Sequence, residues 1–190
     1  MAEKKTVLVG QAKQRGEKIA LLVIDMQNGL FRKSTPIYNE GTLLATICAL
    51  IGRAHQVGAP VIYVQHSDKN ALVEGTQAWA LHPQLQPEAG DLVLRKRHPN
   101  SFQDTPLEAE LEARQVGVLV VTGLVTHGCV RATCVGASAL GYQVILAQDG
   151  HSNYHKEPVL LIEETQAKLQ EQGIRLAAAR EISFSLPVLS

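Results

Sequence analysis

The feature that most constrains this chain is an alternation of two patterns. Short unbroken runs of apolar residues are separated by longer stretches that mostly carry apolar residues at helical spacing. The runs are 19–24 (IALLVI), 60–65 (PVIYVQ), 91–94 (DLVL), 118–122 (VLVVT), 143–147 (QVILA) and a short one at 174–176 (IRL). Such runs belong to strands buried on both faces, the habit of parallel sheets. Residues 42–57 set Leu43, Leu44, Ile47, Leu50, Ile51, Ala54 and Val57 at helical spacing, and Gly58 stops that helix. Thr105-Pro106-Leu107-Glu108 has the form of an N-cap, a proline at the first helical position and a capping-box glutamate. Leu107, Leu111 and Val116 then share a face, and Gly117 ends that helix. Residues 129–140 predict a helix of small residues that can pack close to a sheet, and 156–172 predict a last helix before Gly173. The expected architecture is a three-layer α/β/α domain with right-handed crossovers.

The bulk numbers narrow the function classes. A chain of 190 residues favours one domain. Its 18 basic and 18 acidic residues give no net charge, so nothing points to nucleic acid or to an anionic membrane. No apolar run approaches a bilayer span. Residues 1–17 are polar and read as an N-terminal arm, with a short strand at Thr6–Val9, ahead of a single domain over 18–190. The arm has no apolar signal-peptide core, so the cytoplasm is expected. Three cysteines without a C-x-x-C pattern make a disulfide framework or a zinc site unexpected.

In open parallel sheets, ligands sit beyond the carboxyl ends of the strands. The residues just after the runs are therefore the candidates: Asp25, Gln27, His66, Asp68, Lys96, 123–129 and Asp149. An acid straight after a buried strand can serve as a general base. It can equally be a turn or cap residue. Lys96 stands in a basic run, Arg95-Lys96-Arg97-His98, that reads as a solvated cluster. Beside a thiol, a lysine would favour the thiolate. Cys129 follows the fourth run and falls at the expected first turn of a helix, where unpaired N–H groups lower a thiol pKa. Buried free cysteines are also common filler, and position alone leaves both readings open. Cys48 and Cys134 fall on packing faces. His66, Trp79, His82 and His127 are weaker pocket candidates.

Three stretches taken together resemble the isochorismatase-like hydrolases, or cysteine hydrolases: IALLVIDMQNGLF, LRKRHPNSFQDTPLEAEL and VLVVTGLVTHGCVRATCVGASALGYQVILAQDG. The resemblance runs from about residue 18 to 155 in matching order. It implies a Rossmann-like six-stranded parallel sheet in the order 3-2-1-4-5-6. It implies a catalytic triad of Asp25, Lys96 and Cys129. It implies a cis peptide between Leu124 and Val125, and an oxyanion hole from the N–H groups of Val125 and Cys129. Gln27, Phe31, His66, Trp79, Phe102 and Thr126 are the expected pocket residues.

Relatives of this kind act on small molecules and are commonly dimers or larger, so a homo-oligomer is expected. Members acting on isochorismate usually lack the cysteine, because vinyl-ether hydrolysis needs no acyl-enzyme. Cys129 therefore favours cleavage of an amide, urea or carbamoyl C–N bond, with isochorismatase-type chemistry as the alternative. The stretch after the second run lacks the metal-binding pattern of nicotinamidases, so no metal and no other cofactor is expected. Outside hydrolysis, two readings remain: a thiol redox sensor, which needs a resolving thiol near Cys129, and an idle oligomeric scaffold. The roles of His127 and Gly128 are unassigned.

Overall fold

The computed structural model describes residues 15–185. The expected strand at Thr6–Val9 and most of the expected arm lie outside the described residues. The strands are β1 (Lys18–Ile24), β2 (Val61–His66), β3 (Leu92–Lys96), β4 (Val116–Leu124), β5 (Gln143–Ser152) and β6 (Arg175–Ala177). The helices are α1 (Asn28–Phe31), α2 (Glu40–Gln56), α3 (Leu107–Ala113), α4 (Arg131–Ala139) and α5 (Pro158–Glu171). All six strands pair in parallel in the order β3-β2-β1-β4-β5-β6.

The continuous apolar runs are explained by cores on both faces of the sheet. Leu21, Val23, Val61, Tyr63 and Val120 pack under α2, against Leu43, Leu44, Ile47, Leu50, Ile51 and Ala54. Ala20, Leu22, Ile24, Ile62, Val64 and Val121 face the other way, toward Leu107 and Leu111 of α3, Cys134 and Ala137 of α4 and Leu169 of α5. Arg15 does not stand away from this body. Its guanidinium donates to Glu108, Glu112, the Leu140 carbonyl and the Tyr142 hydroxyl.

Four boundaries differ from the sequence expectation. The helix starting at Leu107 ends at Ala113, because Gln115 takes a left-handed φ of 58° and the chain turns into β4. Val116 and Gly117 are therefore strand residues. The capping box does not form, since Glu108 accepts from Arg15. β3 runs on through Lys96, paired with His66, so Lys96 is a strand residue and not a loop residue. β5 continues to Ser152, beyond a register shift against β4. Finally, α4 begins at Arg131, after a wide π-type turn over Thr126–Val130 that carries Cys129.

Two glycines allow the close approaches that shape this end of the sheet. Gly123 has φ +115°, and a Cβ there would fall 2.0 Å from the Ile24 carbonyl oxygen. A Cβ at Gly136 would fall 2.4 Å from the Asn100 side chain, so its absence lets the loop after β3 lie against α4. Ser101 completes that contact through the Thr133 hydroxyl at 2.8 Å. Gly123→Ala should destabilise the fold by more than about 2 kcal/mol, from positive-φ strain plus backbone overlap. A urea unfolding midpoint checks this. An unchanged midpoint would mean that β1 and β4 have room to part.

Candidate active site

Asp25, Lys96 and Cys129 meet at the carboxyl end of the sheet, where strand order reverses between β1 and β4. Asp25 leaves β1 with φ 51°, a left-handed conformation that aspartate tolerates better than most residues. Its N–H still donates to the Val64 carbonyl at 2.8 Å, which ties the turn to β2. Lys96 comes from the second strand over. Its side chain, and no bend of the loop, covers the distance of two strand spacings, about 4.8 Å each. The ammonium reaches Asp25 Oδ2 at 2.9 Å, with side-chain exposures of 0% for Lys96 and 4% for Asp25. The other carboxylate oxygen, Oδ1, is buried without a hydrogen-bond partner.

His66 joins this group. Its Nδ1 lies 3.2 Å from Lys96 Nζ. An ammonium only donates, so Nδ1 is the acceptor and a neutral ring carries its proton on Nε2. Burial and the adjacent Lys96 charge hold its pKa below the ordinary histidine value, which favours that neutral form. Gln27 locks the backbone of His66 from both sides. It accepts from the His66 N–H at 2.8 Å and donates to the His66 carbonyl at 3.0 Å.

The Cys129 thiol behaves differently from the sequence expectation. Its pKa is pushed up to about 12, first by burial and then by the Asp25 charge, with Lys96 opposing. No regular helix N-terminus offsets this, because Gly128 at φ −103°, ψ −110° breaks the helical path just before Cys129. At neutral pH the thiol keeps its proton. The peptide bond between Leu124 and Val125 is cis.

Asp25, His66 and Cys129 offer three ligand-type atoms within 4.8 Å of one another. A metal ion would fit that donor set poorly, because Lys96 Nζ already contacts two of its members and would face the ion as a like charge.

The remaining sequence candidates separate. Trp79 is half-buried, and its indole N–H donates to Ser67 Oγ at 2.7 Å. Phe31 stands against the His82 ring, with centroids 4.7 Å apart. Gln27, Phe102 and Thr126 each have a partner within the protein. The Gln27 amide is used on His66 and on the Trp79 carbonyl. Phe102 stacks on Tyr142. Thr126 is buried against His151. Asp68 accepts from the N–H groups of Asn70, Ala71 and Leu72, and Asp149 from that of Ala179, so both hold loops. Cys134 is wholly buried. The basic run is divided by strand parity: Arg95 pairs outward with Glu74, while Lys96 points inward. Sequence reasoning missed His151, because β5 was expected to stop at Ala147, and with it Gln166, which meets His151 from α5.

Asp25→Asn removes the charge that raises the Cys129 pKa, and leaves Lys96 to lower it. Iodoacetamide labelling of the Cys129 peptide should therefore speed up, by roughly tenfold or more near pH 8, since one pKa unit is tenfold in thiolate. Lys96→Met should slow it. Equal labelling rates in all three proteins would contradict this electrostatic picture.

The family model described as the Isochorismatase domain matches residues 19–162. Streptothricin hydrolase of Streptomyces noursei is 34% identical over 137 residues, which is 71% of this chain and 50% of that protein. The chain thus spans about half the length of the streptothricin hydrolases it matches. Maleamate amidohydrolase of Pseudomonas putida is 29% identical over 168 residues, covering 78% of this chain and 79% of that protein. Among solved structures, an isochorismatase family protein of Desulfovibrio vulgaris superposes with a TM-score of 0.79 at 26% identity, covering 88% of this chain and 96% of that one.

Proposed function

Since the chain belongs to the isochorismatase family, we propose that it is a cysteine hydrolase that cleaves a C–N bond of a small amide, urea or carbamoyl compound. The observation that carries this reading is the unpartnered Oδ1 of Asp25. A buried carboxylate is ion-paired through one oxygen to Lys96, and its other oxygen is left open near a protonated thiol. The named activities of the relatives, on streptothricin and on maleamate, lend support.

The cycle follows from these groups. Asp25 Oδ1 takes the thiol proton as the Cys129 sulfur attacks the substrate carbonyl carbon. A C–S bond forms, and the carbonyl oxygen becomes an oxyanion facing the N–H groups of Val125 and Cys129. Lys96 offsets negative charge as it moves between sulfur and carboxylate. The protonated Asp25 then gives its proton to the leaving nitrogen. The C–N bond breaks and the amine departs, leaving a thioester on Cys129. A water molecule loses its proton to Asp25 and adds to the thioester carbon. Collapse releases the acid, and the thiolate recovers its proton from Asp25. A thiol resting near pKa 12 suits this order, because deprotonation waits for a substrate to accept the charge. The free cysteines Cys48, Cys129 and Cys134 accord with a reducing cytoplasm. Among the described residues no helix is long and apolar enough to cross a membrane.

Ammonia release from a panel of small primary amides, ureas and carbamates tests the reading. Cys129→Ala should lower the rate of any active compound by at least about 10³-fold. Hydrolysis that survives Cys129→Ala at the wild-type rate would sink the mechanism and return the vinyl-ether alternative.

A further inference from the structure

The end of β5 holds a chain of polar groups that the cycle above does not use. Its first link is the Gln148 carbonyl, which can only accept. Nε2 of Gln166 lies 3.0 Å from it. An amide oxygen in that place would face another oxygen, so the carbonyl fixes which end of the Gln166 amide points here. The same nitrogen lies 3.0 Å from Nε2 of His151. An NH2 group donates, so His151 Nε2 accepts and bears no proton. The ring is buried, and burial lowers its pKa to about 4, so it is neutral with its one proton on Nδ1. Nδ1 lies 2.9 Å from Thr126 Oγ1. The ring therefore donates and the hydroxyl oxygen accepts.

This directionality leaves the hydroxyl proton of Thr126 facing away from His151. Thr126 is 0% exposed. Its hydroxyl makes no other hydrogen bond among the described residues. An unused buried donor is costly and calls for an explanation. Its place supplies one, because Thr126 follows Val125 directly and shares the π-type turn with Cys129.

We propose that the Thr126 hydroxyl is a further catalytic group, a third donor to the substrate oxygen beside the N–H groups of Val125 and Cys129. Gln166 and His151 are positioning residues that aim its proton. The inference rests on the hydrolase reading above and deepens it.

The chain can be run in reverse. Gln166→Glu replaces a donor with an acceptor, which moves the His151 proton to Nε2 and turns Nδ1 into an acceptor. The Thr126 proton then goes to His151 and is lost to the substrate. The expected result is a fall in kcat of about 100-fold in both Thr126→Val and Gln166→Glu, the usual loss for one oxyanion donor. Labelling of the Cys129 peptide by iodoacetamide, a reaction with no oxyanion, should stay within about twofold of wild type in both, which a collapsed turn would not allow. Thr126→Ser keeps the hydroxyl and should recover most of the loss. Imidazole 15N NMR should place the His151 proton on Nδ1 in wild type and on Nε2 in Gln166→Glu. A wild type that turns over while both variants match its kcat overturns the role of Thr126 alone. So does a loss of Cys129 labelling as large as the loss of kcat. A wild type that releases no ammonia from any compound in the panel sinks the hydrolase reading, and this role with it.

Discussion

A lysine ammonium and a carboxylate, 2.9 Å apart and both almost wholly buried, organise the carboxyl end of this sheet. Taking two charges out of water costs several kcal/mol per ion, and their attraction seldom returns much more than that. A pair like this is therefore a poor device for stability alone. Its surroundings fit another use. Lys96 donates to both Asp25 and His66, and Asp25 still has one oxygen without a partner. The pair holds an acceptor next to a thiol and lets a proton pass from sulfur to carboxylate without changing the net charge of the interior. Gln27, by fixing the His66 backbone, and Gly123, by letting β4 lie against β1, build the frame around it.

The turn that carries Cys129 is held from the opposite side. Its polar tie to β5 and α5 runs through Thr126, His151 and Gln166. The site thus has two halves, an acid-base half on β1 and β3 and a nucleophile half braced by β5 and α5. They meet where the strand order reverses. In the proposed cycle the first half moves protons and the second supplies the sulfur and the donors for the oxyanion.

Much of this could be read from the sequence because buried parallel strands leave unbroken apolar runs. The layers follow from those runs, as do the candidates at their carboxyl ends. The order of the strands came from the resemblance, since alternation alone does not fix it. Two misreadings share one cause, the end of a strand. Polar residues at 95–96 and 148–152 looked like loop, so Lys96 was placed after the third run in a solvated cluster, and His151 drew no attention. Both lie on strands that continue past the apolar run, and there side-chain parity decides which polar residue turns inward. The raised Cys129 pKa was also hidden. The sequence placed the thiol at a helix start, but Gly128 breaks the regular path, and burial beside Asp25 raises the thiol pKa. Which donor faces which acceptor along Gln166, His151 and Thr126 depends on contacts distant in sequence, and no local pattern encodes it.

The account stands on Cys129 forming a covalent bond to the substrate carbonyl, and an acid-quench experiment addresses that bond directly. Protein mixed with an excess of its fastest amide substrate is quenched within the first turnover, digested and weighed. The peptide containing Cys129 should carry the mass of the acyl group, bound as a thioester that hydroxylamine removes. Turnover at the full rate with that peptide unmodified at every quench time would contradict the account.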